Sequence, residues 1–316
     1  MSTQQLPTKR QHVLDAMKTA HQTLQSVNEG ANASYIPYLA SVPSNLFGIA
    51  LAFTDGEILE VGDTRYDFAM ESISKVFTLA CVLEEMDKET FKSKIGSNAS
   101  SEPFNSVIDL ELHDEHPYNP FDNAGAIATV GLIGAASPEE RWNKIIGTYN
   151  RFAGRELTVN DAVYRSESDT NAHNRGISWL LKSSGSLQVD PDHACDIYTR
   201  QCSVAITCRD LAIMGGTLAN SGIHPVTGKR VIKEENVPPI LAEMMMNGMY
   251  ENTGNWLYSA GLPGKTGVGG GILAIVPGIC ALAAFAPPLD VHGNSVRGQK
   301  AGIFLSEILG WNLFKK

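Results

Sequence analysis

A serine and a lysine three residues apart stand at the start of the apolar stretch ESISKVFTLA, residues 71 to 80. Residues at i and i+3 share a helix face, so the amine of Lys75 could reach the hydroxyl of Ser72. In an apolar cleft the lysine would lose its charge and accept the serine proton, while the amino end of the helix could hold a developing oxyanion. Without further support, two polar residues on the solvated side of a helix explain the pair better, because chance alone supplies about one Ser-x-x-Lys in a chain of this composition.

A second motif favours the chemical interpretation. Lys265-Thr266-Gly267 lies between strand-like segments and is followed by Val268 and three glycines. A Ser-x-x-Lys that opens a helix, with a much later Lys-Thr-Gly near a strand, is typical of serine β-lactamases and penicillin-binding proteins. The Ser-Asp-Asn motif of those proteins is absent, which argues against a β-lactamase or a peptidase.

The composition excludes several classes of protein. The chain has 316 residues, 43% hydrophobic and 19% charged, which is typical of a globular protein. Its net charge of −9 argues against nucleic acid or an anionic membrane as the main partner. The five cysteines form no C-x-x-C pair, and the amino terminus lacks the apolar core of a secretory signal. We therefore expect a cytoplasmic protein.

The histidines give no sign of a metal site. None of the eight lies in an H-E-x-x-H motif, and the one dense cluster, residues 113 to 116, is interpreted as a solvated loop. A serine and lysine mechanism needs no metal. We predict neither a metal nor another cofactor.

Periodicity predicts a sheet formed from both ends of the chain, with helices inserted between them. A hairpin is predicted at 46–62 around the turn Thr54-Asp55-Gly56, and strands at 255–286. Helices are predicted at 8–29, from 72 onward, and at 139–153, 171–184, 207–219, 238–250 and 297–310. The expected fold class is α/β (α+β), one catalytic unit over 1–316, with a sheet lobe at about 1–71 and 251–316 and a helical lobe at about 72–250.

The uncharged stretch from Thr266 to Leu289 is long enough to raise the question of a membrane span. Glycines interrupt its start, and Pro277-Gly278 divides it into the runs ILAIV and ICALAAF. These features favour a buried hairpin over a transmembrane helix.

The chain resembles the serine-dependent glutaminase family, which has a β-lactamase-like fold. The resemblance runs from YIPYLA at 35–40 to FAPPLDVHGNSVRGQK at 285–300. Between them it includes GDTRYDFAMESISKVFTL, NPFDNAGAIAT, SESDTNAHNRGISWLL, DIYTRQCS, MMMNGMYENTG and GLPGKTGVGGGI. This resemblance implies an L-glutamine amidohydrolase that forms homo-oligomers, either dimers or tetramers.

The resemblance also implies roles for particular residues. Ser72 would be the nucleophile and Lys75 its base, with the backbone N–H groups of Ser72 and Val268 as the oxyanion hole. Tyr35 matches a tyrosine near the nucleophile, and which tyrosine acts as the acid stays open. The matched substrate-binding positions, besides Ser72 and Val268, are Asn123, Glu167, Asn174, Tyr198 and Tyr250.

The residue types fit a site for free glutamine. Glu167 suits the α-ammonium by charge, and asparagine and tyrosine side chains can supply hydrogen bonds. Glu167 and Asn174 are seven residues apart, so they would share one face of a continuous helix.

Two alternatives stay open at this point. One is a penicillin-interacting serine hydrolase or carboxypeptidase of the same fold, which would be exported. The other is a non-catalytic protein that binds glutamine, for which the nucleophile would be unnecessary.

Overall fold

A computed structural model describes residues 10–100, 102–112 and 116–315, and its centre is an antiparallel sheet. The strands are β1 (Gly48–Phe53), β2 (Ile58–Gly62), β3 (Phe68–Ala69), β4 (Ala205–Ile206), β5 (Gly264–Gly267), β6 (Gly271–Val276) and β7 (Cys280–Phe285). Five of them form the central sheet in the order β2-β1-β7-β6-β5, while β3 and β4 pair separately. Pairing of β1 with β7 joins distant parts of the chain, as predicted.

Both predicted hairpins are confirmed. In the first, Ala52 of β1 lies opposite Ile58 of β2, and Gly56 in the turn has a φ of 91°, which favours glycine. In the second, Val276 pairs with Cys280 across the Pro277-Gly278 turn. The second hairpin accounts for the uncharged stretch after Thr266. Within the described ranges, no helix is both long and apolar enough to cross a membrane.

Helices surround the sheet. They are α1 (Arg10–Leu24), α2 (Pro37–Ala40), α3 (Ser74–Glu85), α4 (Lys88–Ile95), α5 (Ile108–Leu112), α6 (Asn123–Leu132), α7 (Pro138–Ala153), α8 (Asp161–Thr170), α9 (Ala172–Ser183), α10 (Pro191–Cys202), α11 (Cys208–Ala219), α12 (Val237–Asn247), α13 (Thr253–Ala260) and α14 (Val296–Ile308). The predicted helices all appear, although α1 ends at Leu24 rather than at 29. Residues 8 and 9 of its predicted start, and 113–115 of the predicted histidine loop, lie outside the described residues.

The prediction of strands from residue 255 is wrong for its first part, where α13 forms. Trp256 and Ala260, one helical turn apart, are both buried, and Gly261 ends the helix in the left-handed conformation. The segment thus buries a helical stripe instead of alternating residues.

The sheet separates two hydrophobic cores, because successive side chains of a strand point to opposite faces. One face, with Leu51 and Leu282, packs against α1, α13 and α14. The other face, with Ala50 and Ala283, packs against α11 and the helices beyond it. Since α11 lies directly on the sheet, the division into lobes at 71/72 and 250/251 stays a prediction.

Candidate active site

The serine and lysine are buried at the junction between a short 3₁₀ turn and α3. The turn spans Glu71–Ile73, and α3 continues it from Ser74. Ser72 is 6% exposed and Lys75 is 1% exposed, so neither lies on a solvated helix face. Glu71 has a φ of 52°, a left-handed conformation that is uncommon for a residue with a side chain. Backbone strain of this kind clusters at functional sites.

Lys75 is held by two acceptors. Its Nζ donates to the backbone oxygen of Phe121 at 2.7 Å and to Oδ1 of Asn123 at 2.8 Å. Burial lowers the pKa of Lys75 to about 8, against the opposing effect of nearby negative groups. Within the described residues Lys75 makes no hydrogen bond to Ser72, although the two lie one helical turn apart.

Asn123 connects several of the predicted site residues. It is the first residue of α6, and its Oδ1 accepts from Lys75 and, at 3.0 Å, from the hydroxyl of Tyr198. Its Nδ2 donates to Oδ1 of Asn174 at 2.9 Å. This amide therefore links residues on α3, α9 and α10.

Glu167 and Asn174 line the same cavity but do not share one helix. Glu167 lies on α8, which ends before Asn171, and Asn174 lies on α9, which begins after it. Glu167 and Asn174 therefore do not share a face of one continuous helix. The chain changes direction at Asn171, and this change brings both side chains to the same cavity. Burial raises the pKa of Glu167.

Three tyrosines occupy different depths. Tyr198 on α10 and Tyr250 in the 3₁₀ turn Tyr250–Asn252 are both buried. Tyr35 is 59% exposed overall, but its hydroxyl reaches into the cavity, where burial and the carboxyl groups of Glu71 and Glu167 raise its pKa.

The Tyr250 hydroxyl faces Ser72. It has no hydrogen-bond partner that meets standard geometry among the described residues. Burial raises the pKa of Tyr250 well above its usual range, and the nearby Ser72 side chain counteracts part of that rise. The phenol is therefore protonated around neutral pH.

The Lys-Thr-Gly segment brings β5 against the 3₁₀ turn. Val268 directly follows β5, and a side chain at Gly267 would approach the backbone oxygen of Met70 to 2.8 Å. Lys265 is fully buried, donates to the backbone oxygen of Thr266 at 2.8 Å, and lies 4.7 Å from the Tyr250 ring. Burial and the charge of Lys75 hold the pKa of Lys265 well below its usual range.

A cavity of about 990 Å³ brings most of the predicted residues together. Its lining includes Tyr35, Ser72, Asn123, Glu167, Asn174, Tyr198 and Val268. Lys75 and Tyr250 are not part of the lining; Lys75 contacts Asn123, and Tyr250 faces Ser72. Glu71 and Cys202 also line the cavity, although neither was predicted from the sequence to have a role. No motif marks either residue; the only available signal for Glu71 was its position next to the serine.

Fold and site together define the class of protein. The predicted β-lactamase-like class, with an antiparallel sheet and surrounding helices, is confirmed by the fold and by its structural neighbours. The solved structure of a probable glutaminase, ybaS, has a TM-score of 0.96 and 50% identity, covering 98% of this chain and 100% of that one. The crystal structure of Mglu in its glutamate form has a TM-score of 0.91 and 36% identity, covering 96% and 70%.

Sequence comparisons give the family. The family model for glutaminases matches residues 30–314. A glutaminase of Mycobacterium ulcerans (strain Agy99) is 51% identical over 299 residues, which is 95% of this chain and 93% of that protein. Glutaminase 1 of Escherichia coli (strain K12) is 51% identical over 300 residues, with 95% and 97% covered. The chain belongs to the glutaminase family.

Proposed function

We propose that the protein hydrolyses L-glutamine to L-glutamate and ammonia through a glutamyl ester on Ser72. The hydroxyl oxygen of Ser72 attacks the side-chain amide carbon while Lys75 takes its proton. The tetrahedral oxyanion is stabilised by the backbone N–H groups of Ser72 and Val268. Its collapse breaks the C–N bond and releases ammonia, after which water attacks the ester and frees glutamate.

The surroundings of Lys75 are the observation that carries this proposal. A neutral amine has two N–H donors and one lone pair. The backbone oxygen of Phe121 and Oδ1 of Asn123 are two acceptors within 2.8 Å, which matches the two donors of the neutral form. The lone pair is then left for the proton of Ser72, and the pKa of about 8 makes the neutral form accessible near neutral pH.

The leaving ammonia needs a proton, and Tyr250 is the better placed of two tyrosines to relay it. Its hydroxyl is buried, faces Ser72 and stays protonated. Tyr35, at the cavity mouth, is more exposed. We assign the proton relay to Tyr250 and the closing of the cavity over the substrate to Tyr35.

Substrate recognition follows from the other lining groups. Glu167 pairs with the α-ammonium, while Asn123, Asn174 and Tyr198 supply hydrogen bonds to the remaining polar atoms of the amino acid. Fixing the α-groups also fixes the distance to the reacting carbon. Asparagine, one methylene shorter, would place its amide carbon away from Ser72 and react poorly.

The test is ammonia release by the purified protein from L-glutamine, L-asparagine and D-glutamine, with Ser72→Ala alongside. We expect release from L-glutamine only, abolished in Ser72→Ala while glutamine binding is retained. Release from none of them, with binding intact, would favour the non-catalytic glutamine-binding protein. Labelling of Ser72 by a fluorescent penicillin would favour the alternative serine hydrolase.

Assembly and location complete the proposal. We propose a homo-oligomer, a dimer or a tetramer, on the basis of the resemblance, and a cytoplasmic location on the basis of the five unpaired cysteines. Sedimentation velocity would separate these forms from the 34.1 kDa monomer.

A further inference from the structure

Glu71 is a buried carboxyl group beside the nucleophile, and the mechanism above does not use it. It is 3% exposed and lines the cavity with Ser72. Gly267 and Gly269 leave room for its stem, because a Cβ at these glycines would come within 3.2 Å of Cβ and Cγ of Glu71, respectively. The left-handed backbone and these glycines together fix the direction of the side chain.

The carboxyl group of Glu71 meets that of Glu167. The two lie within hydrogen-bonding reach of each other, and Oε1 of each is buried with no other partner among the described residues. Two buried carboxylates in contact cannot both be ionised without a large cost, so such a pair holds a proton. Burial and the charge of Glu167 raise the pKa of Glu71, whereas the hydrogen bond from Glu71 opposes the rise at Glu167. Glu71 is also the more deeply buried of the two, at 3% exposed against a partly buried Glu167, so the neutral form is assigned to Glu71.

The other titratable groups around Glu71 leave this assignment in place. Burial raises the pKa values of the neighbouring phenols and thiol, which are neutral around pH 7, and Lys75 is the one neighbour that favours ionisation of Glu71. The groups that face it, or lie on elements packed against the turn, are Tyr35, Lys75, Glu167, Tyr198, Cys202, Tyr250 and Lys265.

We propose that Glu71 acts in its protonated form as a positioning residue, donating its carboxyl O–H to the Glu167 carboxylate and so orienting Glu167 for the α-ammonium of the substrate. This inference rests on the proposed function, since it concerns how glutamine is held. An ionised Glu71 would also attract a proton to Lys75, its neighbour, and so remove the neutral amine that the reaction needs. A neutral Glu71 avoids that effect.

Two substitutions separate a neutral donor from an anion. Glu71→Gln keeps the length and an N–H donor but cannot ionise, whereas Glu71→Asp keeps an ionisable carboxyl group but is one methylene shorter. For Glu71→Gln we expect a KM for L-glutamine within about threefold of the wild type; for Glu71→Asp we expect a KM at least about tenfold higher, with a smaller change in kcat. Glu243→Gln is the matched control, because Glu243 is also a buried carboxyl with a raised pKa, about 7, but lies on α12 outside the cavity.

A raised KM in Glu71→Gln would overturn the proposal, as would an unchanged KM in both variants. The two failures are distinguishable from failure of the proposed function. If the protein is not a glutaminase, the wild type itself releases no ammonia from L-glutamine. If only the role of Glu71 is wrong, the wild type still releases ammonia, but the KM values of Glu71→Gln and Glu71→Asp do not follow the expected order.

Infrared spectroscopy of the intact wild type provides a test that does not depend on variant kinetics. A protonated carboxyl group has a carbonyl band separate from the carboxylate bands. At neutral pH we expect one such band to shift when L-glutamate is added. The reason is that the α-ammonium of L-glutamate binds the same Glu167 carboxylate that accepts the hydrogen bond from Glu71. The shifting band should be absent in Glu71→Gln and retained in Glu243→Gln. No shifting band, or one retained in Glu71→Gln, would contradict the assignment.

Discussion

The side chain of Asn123 hydrogen-bonds to three groups of the candidate site. Asn123→Ala should lower kcat/KM by about 100-fold, roughly 2.7 kcal/mol, because Lys75, Tyr198 and Asn174 each lose a hydrogen-bond partner. The measurement is steady-state ammonia release from L-glutamine.

Asn236 offers a matched control for this change. It is equally buried and donates to Glu84 and to the backbone oxygen of Leu83, far from the cavity. Asn236→Ala should lower the thermal midpoint of unfolding without changing kcat/KM at temperatures where it is folded. Similar losses of kcat/KM in both variants would mean that Asn123 acts only through stability.

Lys75 should set the pH dependence of the reaction. Burial lowers its pKa to about 8, and the base must be neutral, so kcat/KM should rise with pH and level off above about 8. Below that value the slope should be about tenfold per pH unit. Lys144→Met, at a partly exposed lysine paired with Glu85, should leave the profile unchanged. A flat profile between about pH 6 and 8 would exclude Lys75 as the base.

At this scale the sequence was informative only where a motif exists. Ser72 and Lys75 stood out because their spacing fits a known chemistry, and the binding residues because matched segments contain them. The hydrogen bonds of Lys75 to Phe121 and Asn123 could not be predicted, because they join parts of the chain that only the tertiary fold brings together.

Helix α6 is pressed against the loop that precedes it. A side chain at Gly125 would come within 1.8 Å of the backbone oxygen of Asn119. Gly125→Ala should therefore displace the loop that holds Phe121, lowering kcat/KM and costing about 1–3 kcal/mol of unfolding free energy.

Gly176 is the control for this helix substitution. It lies on α9 with no atom within 4 Å of the position of a side chain. Gly176→Ala should stabilise the protein by up to about 1 kcal/mol through helix propensity and leave kcat/KM unchanged. Urea unfolding and ammonia release measure both effects. Equal stability in the two alanine variants would contradict the close packing at Gly125.

Helices and strands were predicted well where the apolar residues follow either helical spacing or strand-like alternation, and poorly where both patterns are present. The hairpins and α7 follow clear patterns, and the helix ends are close to those expected. Helix α9 was predicted to begin at 171, but α8, in which only Val163 is buried, was not predicted, and neither was the change of direction between the two helices. That change of direction brings Glu167 and Asn174 to one cavity.

Ligand binding should stabilise the molecule as a whole, because the cavity wall combines the helix start at Ser72, the residue after β5 and the loop at Tyr35. At 100 times its dissociation constant, L-glutamate should add about 2.7 kcal/mol to the free energy of unfolding. At the same concentration Glu167→Gln should gain much less, since the substitution removes the carboxylate proposed to pair with the α-ammonium. Denaturant titrations with and without L-glutamate measure this, and equal gains would remove Glu167 from the site.

For the whole molecule, the sheet formed by distant parts of the chain was predictable from the positions of the strand signals. The placement of α11 on the sheet was not, since its pattern does not tell which core it faces. Its Gly215 lies so close to Leu273 and Ala281 that only tertiary packing explains it.

The strand order has a consequence for how the protein is made. During synthesis the β1–β2 hairpin leaves the ribosome long before β7, its partner in the sheet. The helices that hold Ser72, Asn123 and Glu167 are also translated before β5 to β7. Domains tend to fold as units during translation. A nascent chain that ends before β7 lacks the central strand of the sheet and the cavity-lining residues that follow Leu289, so the serine proposed as the nucleophile is made before its site is complete.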